Sequence, residues 1–345
     1  MFRATILSMA VLAASACAAA AAAPGQQVPG SISVPPPPGI YQYTALATDA
    51  QGALYACDGD AVWRLQGSTF TQAYSGIAAV AGVWVDPSGF AVNAAGTLAY
   101  VATGYSGRIV EIDLADHTAR ELDGARGAWV YGNYGVAVDP VAGTVFLTDS
   151  LNQDLYRVNP AGSGSLSLLK HFNGEYGGGI AFTPTGELIV PVAVGRAAYP
   201  TDDNFPIDLY RFPRSYLDAV AGGQTPAGDP VPYAQGLQVS GTGFVAADEW
   251  GAAYIEGLDA IYKVDAQGNL TTFYGDPSLN VFDKNMAGIG LMGLAYDAVG
   301  ERLLFAYRAT DSEDWKLYEA TPEPMTFGLV AAGLAGLWVR RRARR

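Results

Sequence analysis

The stretch GVAVDPVAGTVFLTDSLNQDLYRV, residues 135–158, decides the fold. It begins with a short aliphatic segment, continues through a polar turn that ends in Gly143, and returns as the aliphatic segment 144–147. After a second polar turn, Leu155-Tyr156-Arg157-Val158 alternates apolar residues with polar or aromatic ones, as half-buried strands do. The stretch therefore predicts three consecutive antiparallel strands.

The same order of strand, glycine-containing turn and strand occurs six times, in residues 44–55, 89–100, 135–147, 179–190, 243–255 and 293–305. A third strand follows each copy, in residues 62–65, 109–112, 155–158, 209–212, 261–264 and 317–319. From the second copy onward, the copies begin 46, 44, 64 and 50 residues apart. Four strands in about 40–50 residues are typical of one propeller blade. The pattern predicts an all-β fold, a six-bladed β-propeller over residues 39–320.

An irregular β-sandwich and a β-helix are the alternatives to a propeller. The propeller is favoured because a four-stranded sheet with two apolar faces needs a neighbouring sheet on each side. The composition agrees, with 42 Gly, 20 Tyr and only 15% charged residues. The sixth blade has no clear fourth strand before residue 321. We therefore expect Ser31–Val34, in the proline-rich segment 24–38, to supply that strand and close the ring.

The body resembles NHL-repeat and SMP-30/gluconolactonase-like propellers. The third copy carries the resemblance, through Asp139-Pro140 and through the D-x-x-N turn from Asp149 to Asn152 that precedes its third strand. The other copies keep the hydrophobic frame but lose the turn. The resemblance therefore implies architecture more than activity.

Both ends of the chain lie outside this body. Residues 1–23 are predicted to be a secretory signal peptide, because Arg3 is followed by the apolar stretch Ile6–Ala13 and by the small residues Ala18–Ala23. The alternatives are a retained membrane helix, for which the stretch is short, and a lipoprotein with Cys17 as the lipidated residue.

Residues 321–345 carry three elements in order: Pro322-Glu323-Pro324, an uncharged apolar segment 325–339, and a terminal cluster that includes Arg340, Arg341 and Arg342. This order resembles the PEP-CTERM sorting signal of Gram-negative bacteria. The resemblance implies Sec-dependent export, a short hydrophobic helix held transiently in the inner membrane, and processing by an exosortase near the Pro-Glu-Pro. It also implies a final location at the cell surface or outside the cell, in biofilm-forming cells. An ordinary single-pass anchor is the alternative.

The body is strongly acidic. The whole chain carries a formal charge of −13, and setting aside the six arginines and one glutamate of the two ends leaves −18. Such a charge disfavours nucleic acid as a partner. Once a signal peptide is removed, Cys57 is the one remaining cysteine, so stability must come from packing rather than from an internal disulfide. The thiol is predicted to be buried at the end of a strand.

Candidate ligand-binding residues cluster on one expected face of the propeller. That face carries the loops from second to third strands and the loops that lead into each first strand. It would bring together Asp149, Asn152, Asp154, Tyr134 and Glu175. Asp149, Asn152 and Glu175 could bind Ca²⁺ through oxygen ligands; the alternative is that short-loop Asp and Asn residues only shape turns.

A long insertion in the fourth copy, Ala193–Asp208, adds Asp202 and Asp203 to these candidates and is predicted to be a binding loop or lid. Catalytic motifs of the HExxH, GxSxG and P-loop types do not occur in the sequence. His117 and His171 are expected at the outer rim, and no cofactor other than Ca²⁺ is indicated. The sequence therefore favours a non-enzymatic binding module for carbohydrate, extracellular matrix, exopolysaccharide or a surface protein. The alternative is a Ca²⁺-dependent enzyme of the SMP-30/gluconolactonase or lyase type with a metal on the axis.

Overall fold

The computed structural model describes residues 30–32, 45–82, 85, 89–104, 107–122, 133–149, 152–161, 164–172, 175–194, 205–239, 244–256, 260–274, 291–308 and 315–321. Within these ranges the chain forms strands β1 to β25 and helices α1 (Ile77–Ala81) and α2 (Arg214–Ala221). The strands make six antiparallel sheets, and consecutive strands of the chain are neighbours in a sheet almost throughout. The predicted all-β, six-bladed propeller is confirmed.

The first three blades are built from four strands each. Blade one contains β2 (Ala45–Thr48), β3 (Leu54–Cys57), β4 (Ala61–Gln66) and β5 (Thr69–Ser75). Blade two contains β6 (Gly89–Val92), β7 (Leu98–Ala102), β8 (Ile109–Asp113) and β9 (Thr118–Glu121). Blade three contains β10 (Asn133–Val138), β11 (Val145–Asp149), β12 (Asp154–Asn159) and β13 (Ser165–His171).

The remaining blades include the two irregular ones. Blade four contains β14 (Glu175–Gly177), β15 (Ala181–Phe182), β16 (Leu188–Val194), β17 (Phe205–Phe212) and β18 (Pro232–Val239). Blade five contains β19 (Val245–Ala247), β20 (Ala253–Glu256), β21 (Ile261–Val264) and β22 (Leu270–Tyr274). Blade six contains β23 (Leu291–Asp297), β24 (Arg302–Arg308), β25 (Trp315–Ala320) and β1 (Gly30–Ile32). In blade four the innermost strand is split, since β14 and β15 both pair with β16.

The ring closes through the N-terminal strand. β1 pairs antiparallel with β25, with Ser31 opposite Tyr318 and Ile32 opposite Leu317. This strand overlaps the expected segment Ser31–Val34 by two residues and takes the outermost position of blade six. A shared core also joins blades six and one, because Leu46 and Leu54 pack with Ala295 and Leu304.

The core lies between neighbouring blades rather than at the axis. Alternate residues of each innermost strand join different clusters: Phe90 and Val92 pack toward blade one, whereas Ala91 packs toward blade three. Every blade has an alanine at this position of its innermost strand: Ala47, Ala91, Ala137, Ala181, Ala246 and Ala295. A small side chain fits there because the innermost strands of neighbouring blades converge toward the axis.

Blade four differs from the sequence-based expectation in two ways. The predicted loop Ala193–Asp208 is shorter than expected, because β16 runs through Val194 and β17 begins at Phe205. Helix α2, which was not predicted, connects β17 to β18. It begins after Pro213 and ends before Gly222, and it buries Leu217 against the blade. Helix α2 and the long strands β16, β17 and β18 account for the 64-residue interval before the fifth copy.

The two chain ends fall outside the described residues. The structure therefore does not describe the predicted signal peptide (1–23), and it describes the predicted sorting signal (321–345) only at Thr321. In the described ranges no helix has the length and apolar character needed to cross a membrane.

Candidate functional site

A cavity of about 410 Å³ lies on the axis, and all six innermost strands contribute to its wall. The six repeated alanines line it, together with larger aliphatic and aromatic neighbours such as Leu46, Phe90, Val136, Ile180 and Leu294. Its volume lies within the 300–1,000 Å³ that is usual for small-molecule sites. The cavity is therefore the main candidate site in the described part of the molecule.

The cavity opens at one face of the ring, which we call the turn face. The turn face is formed by the turns that join the first and second strands of the blades. These turns supply the outermost lining residues Asp49, Ala50, Ala94, Pro140, Thr183, Pro184 and Ala298. Ala50, Pro184 and Ala298 are exposed, so the mouth of the cavity is in contact with solvent there.

The innermost strands approach one another closely at the opposite end. A Cβ atom on Gly89 would lie 2.8 Å from the backbone nitrogen of Val136 in the next blade. A Cβ atom on Gly135 would likewise lie 2.8 Å from Gly178 O and from Ile180 N. Glycine is needed here because any side chain would collide with the backbone of the neighbouring blade.

Phe244 also lies at this end, just before β19. It is half-buried and packs against two clusters, one between blades one and two and one between blades five and six. Since blades two and five lie on opposite sides of a six-membered ring, these contacts place the Phe244 ring across the axis. The described cavity therefore narrows away from the turn face.

One polar residue at the same position caps the turn in every blade. These residues, which follow the repeated alanine by two positions, are Asp49, Asn93, Asp139, Thr183, Asp248 and Asp297. In each case a side-chain oxygen accepts hydrogen bonds from backbone N–H groups of its own turn. For Asp49 the donors are Gln51 and Ala53, both at 2.9 Å. The repeat of this residue was visible in the sequence, but its capping role was missed.

The second carboxylate oxygen of these caps is also engaged. Tyr254 donates its hydroxyl to Asp248 at 3.0 Å, Arg302 Nε donates to Asp297 at 2.9 Å, and Arg214 donates to Asp139 at 2.5 Å. Burial raises the pKa of Asp248, partly offset by its backbone hydrogen bond from Ala252. Burial likewise raises the pKa of Tyr254, with the nearby Asp248 charge adding to the effect. The caps therefore hold the turn face in shape.

The sequence-predicted residues of blade three lie away from the cavity. Asp149 is fully buried at the end of β11, and its two carboxylate oxygens accept hydrogen bonds from the backbone N–H of Asn152 at 3.1 Å and from Asn152 Nδ2 at 2.6 Å. Asp154 accepts a hydrogen bond from the Tyr156 hydroxyl at 2.7 Å and lies 2.7 Å from Nδ1 of His171. These contacts between Asp149 and Asn152 are those of a turn, which was the alternative interpretation.

Several other predicted positions cannot be placed. The side chains of Tyr134 and Glu175 and all atoms of Asp202 and Asp203 lie outside the described residues, as do the sorting residues Pro322, Glu323, Pro324, Arg340, Arg341 and Arg342. Among the residues that are described, no three His, Cys, Asp or Glu side chains form a group that could hold a metal ion. Ca²⁺ binding by Asp149, Asn152 and Glu175 stays a prediction. His117 and His171 are both exposed.

Glu256 is a half-buried acid that sequence reasoning did not single out. It ends β20, and its Oε2 accepts a hydrogen bond from the backbone N–H of Phe244 at 2.8 Å, while its own N–H donates to Phe244 O at 2.9 Å. Burial raises the pKa of Glu256 to about 8, and the hydrogen bond from Phe244 opposes that rise. The sequence signal that could have pointed to Glu256 is its position as the one carboxylate at the end of the otherwise apolar strand Ala253–Glu256. Glu256 fixes the backbone of the residue that packs across the axis.

Cys57 is fully buried at the end of β3, as expected. Burial raises the pKa of its thiol to about 12. Because the thiolate is the reactive form, the side chain acts as a packed apolar group in blade one.

Comparison with known proteins identifies the fold. No protein-family model matches the sequence, and no curated protein matches it. Among solved structures, a gluconolactonase from Xanthomonas campestris is 16% identical, with 81% of this chain and 86% of that chain covered and a TM-score of 0.54. A putative gluconolactonase is 14% identical, with 86% and 94% covered and a TM-score of 0.52.

A third solved structure represents a different kind of protein. An auxiliary nutrient binding protein from Bacteroides thetaiotaomicron is 14% identical, with 81% of this chain and 69% of that chain covered and a TM-score of 0.54. At these identities the similarity shows the fold alone. This chain is a propeller with gluconolactonase-like structural neighbours, and its activity must be argued from its own residues.

Proposed function

We propose that this chain is an exported propeller that acts as a binding module, with its ligand in the axial cavity. The observation that carries the proposal is the 410 Å³ cavity to which all six blades contribute. Carbohydrate, extracellular matrix and surface protein are the ligand classes considered. A closed ring holds such a cavity in one shape, and a preorganised site loses less entropy on binding than a mobile one.

The wall of the cavity favours binding over proton transfer. Asp49 is the one acidic side chain among its described lining residues, and its carboxylate accepts hydrogen bonds from Gln51, Ala53 and Tyr55. Thr48 donates to the carbonyl of Tyr296 at 2.7 Å, and Tyr296 donates to Glu249. A general acid or base must be within reach of the reacting atoms. Asp49 instead holds the turn of its own blade, and Thr48 and Tyr296 join neighbouring blades.

The proposal includes a route to the cell surface. The signal peptide (1–23) directs Sec-dependent export across the inner membrane of a Gram-negative bacterium. The tail (321–345) holds the protein there until an exosortase acts near Pro322-Glu323-Pro324. This part is supported by the order of sequence elements at the two ends. The mature body is expected at the cell surface or outside the cell, where exopolysaccharide and other surface proteins are available as ligands.

A ligand screen tests the binding function. The full chain is tested against a glycan array, isolated exopolysaccharide and extracellular-matrix proteins, and each hit is checked by thermal denaturation. A ligand at 100 times its Kd stabilises the folded state by about 2.7 kcal/mol, which a melting curve detects. A chain that binds none of these classes would contradict the proposal.

The same assays separate the enzyme alternative. Ca²⁺-dependent stabilisation together with lactone hydrolysis that is lost in a chelator would favour the gluconolactonase-like function over the binding module. Mass spectrometry of both termini in the native host tests the routing. Loss of residues 1–23 and of the arginine cluster is expected, and intact ends would contradict export and processing.

A further inference from the structure

We infer that the axial cavity is a pocket for a small uncharged molecule rich in hydroxyl groups, which enters through the turn face. This inference rests on the proposed function and specifies its site and ligand. Three features carry it: the chemistry of the inner wall, the charge around the mouth, and the narrowing of the opposite end.

The inner wall is made of strand edges. Among the described residues, β2, β6, β10, β19 and β23 each stand at the end of their sheet and pair with the second strand of the same blade alone. In an antiparallel pair, alternate residues direct their N–H and C=O groups toward the partner strand. The intervening residues direct theirs to the other side, which here is the axis. The cavity therefore offers backbone donors and acceptors between its aliphatic side chains.

A hydroxyl-rich ligand matches this mixed wall. A wholly apolar molecule would cover these backbone groups without replacing their hydrogen bonds to water, which is costly. A hydroxyl group both donates and accepts, so it can meet either kind of group in either orientation. The C–H surfaces of a ring-shaped polyol would contact Leu46, Val136 and the alanine methyl groups.

The charge around the mouth disfavours an anion. Asp49 lines the cavity, and the buried carboxylate of Asp248 belongs to an equivalent turn; both accept hydrogen bonds from backbone N–H groups and a tyrosine hydroxyl. Asp139 and Asp297, in two further turns, are each paired with an arginine and add little net charge. The acidic body adds a long-range repulsion. A cation gains little at Asp49, since that carboxylate already accepts three hydrogen bonds. An uncharged ligand avoids both problems.

The shape of the cavity limits the size of the ligand. The close approach of strands at Gly89 and Gly135, and the position of Phe244, narrow the end away from the turn face. The turn face carries the exposed lining residues Ala50 and Ala298. The described wall therefore admits a free mono- or disaccharide-sized molecule, or the terminal unit of a chain, from the turn face. The narrowing of the described part of the opposite end disfavours the passage of a polymer.

The test compares ligands that differ mainly in charge. The full chain, kept soluble in a polyoxyethylene detergent that has no sugar headgroup, is titrated calorimetrically with neutral hexoses, disaccharides and inositol. We then titrate the amino and carboxylate derivatives of any hexose that binds, together with cyclohexylmethanol, an apolar alcohol of similar size. We expect at least one neutral polyol to bind, and its charged derivatives and the apolar alcohol to bind at least tenfold more weakly. Equal or tighter binding of a charged or apolar compound would overturn the inference.

Variants at the mouth test the location. Ala50→Trp and Ala298→Trp place a large side chain on exposed turn residues that line the mouth, and each should weaken polyol binding at least tenfold. Ala95→Trp is the matched control, because Ala95 is an exposed turn residue of blade two that does not line the cavity. It should leave binding within twofold. Unchanged polyol binding in both mouth variants would show that the ligand binds outside this cavity.

Hydrogen exchange on the unmodified chain gives an independent readout. A polyol in the pocket should slow amide exchange in the innermost strands, and protection confined to outer strands would contradict the inference. If no polyol binds while the screen under the proposed function finds a polymer or protein ligand, the inference fails and the binding module stands. If neither assay finds a ligand, both fail.

Discussion

Replacing Asp139 should reveal how strongly the turn caps hold neighbouring blades together. Asp139 Oδ1 accepts backbone hydrogen bonds from Val141 at 2.8 Å and Ala142 at 3.1 Å, and Oδ2 receives one from Arg214 at 2.5 Å. Arg214 belongs to α2, so this ion pair joins blade three to blade four. The Asp139 side chain is 2% exposed and that of Arg214 is 25% exposed, so the pair is only partly screened by water.

The expected cost follows from these contacts. Loss of a side-chain cap costs about 1 kcal/mol, and a hydrogen bond to a charged group contributes about 1.5–3 kcal/mol. Arg214 also donates to Asp218, so removing Asp139 does not leave its charge unpaired. We therefore expect Asp139→Ala to lower the free energy of unfolding by about 2–4 kcal/mol.

The matched control is Asn93→Ala, in the equivalent turn of blade two. Asn93 Oδ1 accepts backbone hydrogen bonds from Thr97 at 2.8 Å and Leu98 at 3.1 Å, and no arginine of the described residues donates to it. This variant should cost only about 1 kcal/mol. Urea denaturation of both variants, of Arg214→Ala and of the Asp139/Arg214 double variant gives the coupling energy. A coupling near zero, or equal costs for Asp139→Ala and Asn93→Ala, would refute the reasoning.

Three further predictions concern Gly135, Glu256 and Cys57. Gly135→Ala should lower the free energy of unfolding by about 1–3 kcal/mol in urea denaturation, because the added Cβ would lie 2.8 Å from backbone atoms of the next blade. Gly222→Ala is the control and should change the free energy of unfolding little, since its nearest contact is at 3.4 Å. Equal effects of the two substitutions would argue against the close approach of strands. Folded Glu256 keeps its proton up to about pH 8, whereas the unfolded chain releases it near the ordinary pKa of 4.5. Between these two pH values the folded state binds more protons than the unfolded state, so the free energy of unfolding falls as pH rises from 4.5 to 8. Glu256→Gln should remove this pH dependence, so that the stability of the variant relative to the parent chain rises by up to about 1.4 kcal/mol per pH unit over this range, as measured by melting curves. Parallel pH profiles of the two proteins would contradict this prediction. Cys57, with a pKa of about 12, should resist iodoacetamide in the native state and react fully in urea, as peptide mapping would show; rapid native labelling would mean that the thiol is accessible.

The sequence was sufficient for the fold because each blade is a local repeat. Strand alternation and glycine-containing turns are set by residues close in the chain, and the predicted third strand Ile261–Val264 coincides with β21. The length of the insertion Ala193–Asp208 suggested a loop, yet both of its ends belong to strands. Pro206 lies in β17 opposite Gln238, and Pro191, just before the insertion, lies within β16 opposite Leu209.

The candidate site was much less predictable from sequence. The cavity depends on how closely six separate strands approach one axis, and the Cβ clash at Gly135 involves residues 43 and 45 positions away. The Phe244–Glu256 hydrogen bonds depend on two positions of one blade that show no motif. Asp149 and Asn152 showed a recognisable pattern, but the same spacing serves a turn and a ligand site equally well.

The pairing of β1 with β25 has a consequence for how the molecule assembles. Gly30 lies opposite Glu319, a separation of 289 residues, so the first strand to leave the ribosome finds its partner only after almost all of the chain has been made. Joining such distant segments carries a large loop entropy until the intervening blades have compacted. A product truncated before residue 315 would therefore keep an unlatched sixth blade, and its exposed strand edges would mark it for proteolysis or aggregation.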